Sequence, residues 1–485
     1  MKILLSLLLT LSLSACSIRI DVAEQWNIPI EIYPQYQGVT IPPNIAPLNF
    51  EVMNDRDAKW GLQLVASGDT LAIAADEALF SFKEDFWKNL LNQNRGKELI
   101  FRICKKESDG WKAYQPFTMM VADEEIDPYL AYRLIPPGYS LWKEMGIYQR
   151  NLENFEESIV YKNREGKGNC VNCHSFCERE PEQMLFHMRS ELAGTYILKD
   201  GKKEKINTKT DHTISPLVYP YWHPSGDHVA FSVNKTFQVL HVRDINRIEV
   251  CDEASDVVIY DVNKHEIITT PSLSSDTHYE TFPTFSPDGK YIYFCSAVAV
   301  DSMPKQHRDV KYSLCKIAFN SENCSFGTEV DTLYNAVKQG KSVSFPRVSP
   351  DGKNLVFTLS EYGNFSIWHK DSDLYSVDLE TGNVVCLDAL NSDDVESYHS
   401  WSSNSRWMVF SSRRENGLYT QPYIVYMGED GIPHKPFLLP QQDPKTFYGA
   451  QQNSYNIPEF IKRKIPYSSR ELSNFAHDTE AIPLK

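Results

Sequence analysis

The sequence predicts a mainly β chain: a small β-sandwich-like domain, a short helical segment, then a β-propeller of five or six blades. Three observations carry this. Four segments from residue 219 onward repeat a strand, a tight turn and a strand. The runs between them alternate or are solidly apolar, as sheets require, and do not follow the 3.6-residue period of helices. Residues 40–127 hold strand-like runs without that repeat.

The front part comes first. LNFEV, WGLQLVAS, TLAIAAD, ELIFRICKK and FTMMVAD are separated by turn residues and read as a small sandwich of immunoglobulin-like kind, with a helical patch from Lys83 to Asn94. Residues 16–39 read as a tether. Segment 128–192 follows, with Pro136-Pro137-Gly138 and two helix-like stretches, EESIVYKN and QMLFHMRSELA.

The repeats are YPYWHPSGDHVAFS (219–232), TFPTFSPDGKYIYFCS (281–296), SFPRVSPDGKNLVFTLS (344–360) and SYHSWSSNSRWMVFSS (397–412). Their turns align Pro224, Pro287, Pro350 and Ser403, at spacings of 63, 63 and 53 residues. Ser-Pro-Asp-Gly fits a type I turn, with proline fixing φ at its second position. Two further strand candidates follow each repeat, and four strands per unit is the propeller signature. The FPxxSPDGKxIxF repeat resembles that of TolB-type propellers and covers about residues 190–460. The resemblance implies six blades as the rival to a count of five. A hairpin at 194–206 and residues 443–460 are expected to complete one blade from both ends of a propeller spanning 193–460, leaving 461–485 as a tail. The inner-strand positions Pro220, Pro283, Pro346 and His399 are expected near the central channel, with Glu280 and Glu396 close by.

The chemistry concentrates in Cys170-Val171-Asn172-Cys173-His174. C-x-x-C-H is the attachment signature of c-type haem: two thiols add to the porphyrin vinyl groups and the histidine takes one axial position of the iron. A zinc site that includes Cys177, or a redox dithiol, are the competing readings. One haem c is therefore expected, on Cys170 and Cys173, with His174 as the proximal ligand. His187, Met184 and Met188 are the distal candidates, placed on one short helix; His223 and an open position are the others. Tyr139, Leu141, Trp142, Tyr148, Phe176, Leu185 and Phe186 are candidate walls. A complete cytochrome domain does not fit before the first repeat, so the pocket must borrow walls from its neighbours. Among the other cysteines, Cys315 and Cys324 are a candidate bridge.

Met1-Lys2 followed by the apolar run Ile3–Leu13 reads as a signal peptide, residues 1–15, too short to span a bilayer. Leu13-Ser14-Ala15-Cys16 resembles a bacterial lipobox, which implies cleavage before Cys16 and lipidation of that residue. Ser17 after it implies the outer membrane. With a net charge of −15, nucleic acid is not an expected partner; a redox or envelope protein is, together with the membrane through the lipid. No nucleophile elbow, H-E-x-x-H motif or Walker loop occurs. The expectation is a lipid-anchored electron carrier whose propeller docks partners. The alternatives are a propeller scaffold with structural or sensory haem, and an open-site haem enzyme such as a peroxidase.

Overall fold

A computed structural model describes residues 19–484 apart from 137–138, 166–167, 209, 211–212, 242, 245 and 247. The signal peptide and Cys16 lie outside the described residues.

Six four-stranded antiparallel sheets form a six-bladed propeller. Blade I has Ser454–Ile461 innermost, then Tyr129–Ile135, Gly146–Asn151 and Glu157–Lys162. Blade II runs outward from Val171–Phe176 through Met184–Met188 and Gly194–Lys199 to Lys202–Asn207, with Ile482–Pro483 added in parallel at its edge. Blades III to VI begin at Leu217–Trp222, His278–Phe285, Ser342–Val348 and Glu396–Trp401. Each inner strand packs on the next around the ring. The ring is closed by Ser454–Ile461 pairing with Tyr129–Ile135.

The propeller therefore starts some sixty residues earlier than the sequence reading placed it. The segment expected to be helical is all of blade I beyond its inner strand and the first half of blade II. EESIVYKN and QMLFHMRSELA contain the strands Glu157–Lys162 and Met184–Met188, and the second ends in a 3-10 turn, Ser190–Leu192. Both sides of Met184–Met188 are covered by neighbouring blades, so every residue in it is buried. A strand buried on both faces has no alternation to distinguish it from a helix. The hairpin at 194–206 is the outer half of blade II and does not share a blade with 454–461. The tail is also structural, because its helix Ser469–Asp478 packs against Glu157–Lys162.

The Ser-Pro-Asp-Gly turns form as read. In blade IV the Gly289 amide donates to the Ser286 carbonyl at 2.9 Å, and the Asp288 carboxylate accepts from the Ser286 hydroxyl at 2.6 Å and the Lys290 amide at 3.1 Å. Blade V repeats this with Ser349 and Asp351, and blade VI with Ser402 and Asn404.

The N-terminal domain has a seven-stranded and a three-stranded sheet, with a helix at Glu84–Gln93. Residues read as a tether belong to it: Val22–Gln25 pairs with Gly110–Ala113, and Ile32–Tyr33 with Phe50–Val52. Its apolar core, including Phe50, Phe80 and Phe101, continues into blade VI through Trp401 and Trp407. The Trp407 indole donates to the Glu124 carbonyl at 3.2 Å, and the Asp127 carboxylate accepts from Ser403. Cys315 and Cys324 are free thiols and no bridge joins them.

Candidate functional site

Each inner strand carries one interruption at the same place. The ladder register slips across two residues, and the first has a left-handed backbone: Cys173, Tyr219, Phe282, Phe345, Tyr398 and Ile457, all with φ between 49° and 52°. The second is His174, Pro220, Pro283, Pro346, His399 or Pro458. Proline suits a position released from the ladder, since it has no N–H to donate. The C-x-x-C-H motif is thus the blade II copy of a sixfold structural repeat. Cys173-His174-Ser175-Phe176 corresponds to Tyr398-His399-Ser400-Trp401 in blade VI.

The first residues of these pairs form a floor across the channel. Tyr219, Phe282, Phe345 and Tyr398 touch in sequence, at centroid distances of 4.5, 4.2 and 4.4 Å. Cys173 is the small member beside this aromatic row. Above it opens a cavity of about 670 Å³, a volume typical of cofactor sites. Cys170 and Cys173 both line it, as do Trp142, Tyr219, Phe365 and Trp368. Part of the wall comes from an extension of blade III, the long ribbon His228–Leu240 with Ile248–Asp261, which contributes Thr236, Gln238, Ile248 and Val250. These residues reach the wall because the ribbon extends beyond the blade and over the mouth of the channel.

The lining is electropositive. Arg133, Arg189 and Arg413 border the cavity and no carboxylate does, among the described residues. Arg413 is already paired with Asp394 at 2.8 Å, whereas Arg133 donates to Cys170 Sγ at 3.3 Å. Burial pushes the Cys173 thiol above its ordinary range, so in this closed form it is a protonated thiol at neutral pH.

His174 lies outside that lining. Its ring is buried edge-on to Phe176, and its Nε2 is 3.7 Å from Glu459 Oε2. Among the described residues neither ring nitrogen meets the geometry of a hydrogen bond, and burial, opposed by the Ile457 backbone, lowers its pKa to about 4. Met184 and Met188 are packed in a core with Phe186 and Tyr196. His187 is buried, with Nδ1 3.3 Å from Thr195 Oγ1. The structure brings none of these three to the cavity, whose described lining contains neither histidine nor methionine. His223 is held at the blade III turn by Ser225 and the Gly289 carbonyl. Of the candidate walls, Trp142 lines the cavity; Phe176 borders the lower channel; Tyr148, Leu185 and Phe186 are core. The side chains of Tyr139 and Leu141 lie outside the described ones. His399, Glu280 and Glu396 do not converge: His399 donates to the Val356 carbonyl, and Glu396 is held by Ser392, Ser412 and Arg414.

The cavity residues fit a haem c in three respects and depart from it in one, since His174, the axial histidine of the motif, lies outside the lining. Both motif thiols open onto one space, that space has aromatic and aliphatic walls, and guanidinium groups stand ready for carboxylates such as propionates.

No family model matches the chain. It is 26% identical over 254 residues to acylamino-acid-releasing enzyme 1 of Oryza sativa subsp. japonica, a match covering 48% of this chain and 30% of that protein. Among solved structures it is similar to Kuenenia stuttgartiensis hydrazine synthase, at 13% identity and a TM-score of 0.44, over 71% of this chain and 48% of that one. It is also similar to the β-propeller domain of the trilobed protease from Pyrococcus furiosus, at 10% identity and a TM-score of 0.33, over 68% and 79%. The chain thus spans less than half the length of the first two proteins. The propeller assignment stands on the strand pairing itself.

Proposed function

We propose that this is an extracytoplasmic, lipid-anchored haem c protein. Its haem is held by Cys170 and Cys173 in the mouth of the propeller, with a coordination position open to a small molecule. The observation that carries the reading is the cavity. It gathers both motif thiols, and its described lining offers neither histidine nor methionine as a distal ligand. A saturated electron carrier needs such a ligand within reach, and His174 itself lies outside this lining, so the response to carbon monoxide separates the open-site enzyme or sensor from the carrier. A bound haem would supply an iron able to take a small ligand. The chain's own contribution is to hold the thiols on one wall, exclude bulk water with the aromatic floor, and place Arg133 and Arg189 near anionic groups. His174 is the proximal ligand that the motif assigns.

The test is spectroscopic. Full-length protein made with a haem-attachment pathway should gain one haem that survives acid-acetone extraction, and the ferrous form should bind carbon monoxide without mutation. Cys170→Ala with Cys173→Ala should abolish attachment, and His174→Ala should alter the axial spectrum. Colourless protein carrying zinc at the motif thiols would overturn the haem reading. A low-spin haem that resists carbon monoxide would restore the carrier.

A further inference from the structure

Behind the cavity wall lies a second cluster with the chemistry of a metal site. In the strand Ile248–Asp261, Ile248 and Val250 line the cavity, while Glu249 between them points to the other side. There it meets His241, just past the end of His228–Leu240, and His307, on the short turn His307–Asp309 of the blade IV loop. One donor atom from each of the three lies within 4.8 Å of the others.

Three details set this apart from an ordinary His–Glu pairing. First, Nε2 of His241 and Nε2 of His307 are both buried with no hydrogen-bond partner among the described residues. A buried imidazole nitrogen without a partner has lost its hydration and received nothing in return. Second, the His307 tautomer is fixed. Its Nδ1 is 2.8 Å from the Pro304 carbonyl oxygen, which only accepts, so Nδ1 carries the proton and a neutral ring leaves Nε2 as a bare lone pair. A backbone carbonyl behind the distal nitrogen is the usual outer support of a metal-binding histidine. Third, Glu249 is oriented by groups that leave it acceptor capacity. Tyr362 donates to Oε1 at 2.5 Å and His369 Nε2 lies 2.9 Å from Oε2, and an ionised carboxylate has about four lone-pair sites. The nearest guanidinium, Arg308, is turned away onto Asp244 at 2.6 Å.

We propose that His241, Glu249 and His307 bind a divalent first-row transition metal of the zinc class. Two imidazoles and a carboxylate suit such an ion, and three protein ligands leave a coordination position for water or a small ligand. Metal–ligand bonds of about 2.0–2.2 Å require the three donors to close by roughly an ångström from their present separation. The ion would tie the blade III ribbon to the blade IV loop, and so brace the wall that Ile248 and Val250 present to the cavity.

The experiment is a zinc titration of chelator-stripped, full-length protein, with zinc and iron counted separately and melting followed with and without zinc. The wild type should bind one zinc per chain and melt higher with it. His241→Ala, His307→Ala and Glu249→Gln should each weaken binding by roughly a hundredfold or more and lose the zinc-dependent rise. The two histidine variants remove half-exposed side chains, so unchanged melting without zinc verifies their folding. Cys170→Ala/Cys173→Ala and Cys324→Ser should retain the site, which separates it from the haem motif and from thiol binding. Equal zinc binding by the wild type and a His241→Ala/His307→Ala protein would overturn the proposal, as would loss of the zinc in a cysteine variant.

Discussion

Glu280 allows the energetics of the propeller interior to be read from a pH profile. It lies on the inner strand of blade IV, 3% exposed, with Oε2 buried and without a hydrogen-bond partner. Burial, and then the charge of Asp256, raise its pKa from 4.5 to about 8. Between those values the native state keeps a proton that the unfolded state releases. Stability therefore falls as pH rises through this window and levels off above it. The full span corresponds to a ceiling of about 5 kcal/mol at about 1.4 kcal/mol per pH unit. Glutamine keeps the buried polar volume without the charge that burial and Asp256 oppose, so the expected gain of Glu280→Gln at pH 8 is about 2–5 kcal/mol, up to that ceiling. Below pH 4.5 the two proteins should be about equally stable. Guanidinium unfolding at pH 5, 6, 7 and 8 measures this, with haem loading as an internal control because Glu280 does not border the cavity. Parallel profiles for wild type and variant, or a variant less stable at pH 8, would refute the reasoning.

Three further outcomes are expected. Trp407→Ala removes a fully buried indole shared by the N-terminal domain and blade VI, and should cost about 3–5 kcal/mol in thermal or denaturant unfolding. Gly289→Ala should destabilise clearly more than Gly352→Ala in the same kind of assay. Both have φ of +73°, but a Cβ at 289 would stand 2.2 Å from His223 Nε2 and one at 352 would meet nothing within 4 Å, leaving only the backbone cost of about 1–2 kcal/mol. Cys16→Ala should abolish incorporation of labelled fatty acid and membrane fractionation while leaving haem attachment intact.

The blades that the sequence disclosed are those carrying the Ser-Pro-Asp-Gly turn or a near relative. Its chemistry is local: a hydroxyl, a proline, a carboxylate and a glycine within four residues. Blades I and II lack it. Blade I takes its inner strand from the far end of the chain, so no window of sequence contains both partners. In blade II the chemistry of Cys170, Cys173 and His174 drew attention away from their place in the repeat. The signal that locates them was present in Cys173-His174-Ser175-Phe176 beside Tyr398-His399-Ser400-Trp401 and Ile457-Pro458-Glu459-Phe460, where a released pair precedes a polar residue and an aromatic. The motif thiols were legible as a pair, and both line one cavity. The misplacement of His187, Met184 and Met188 came from assigning helical spacing to a fully buried strand, which turns their side chains into the packing between blades.

Closure by Ser454–Ile461 also sets a timetable. If the chain is exported from its N-terminal side, as the proposed function requires, the motif appears long before the strand that completes blade I. Until then the ring stands ajar and Cys170 and Cys173 are within reach of an enzyme. Afterwards they are 7% and 8% exposed, inside a sealed circle. On the haem reading, loading precedes sealing, and the cofactor acts as a template around which the last blade is fastened. A chain that seals empty would be a dead end: folded, free of colour, and closed to the attachment machinery.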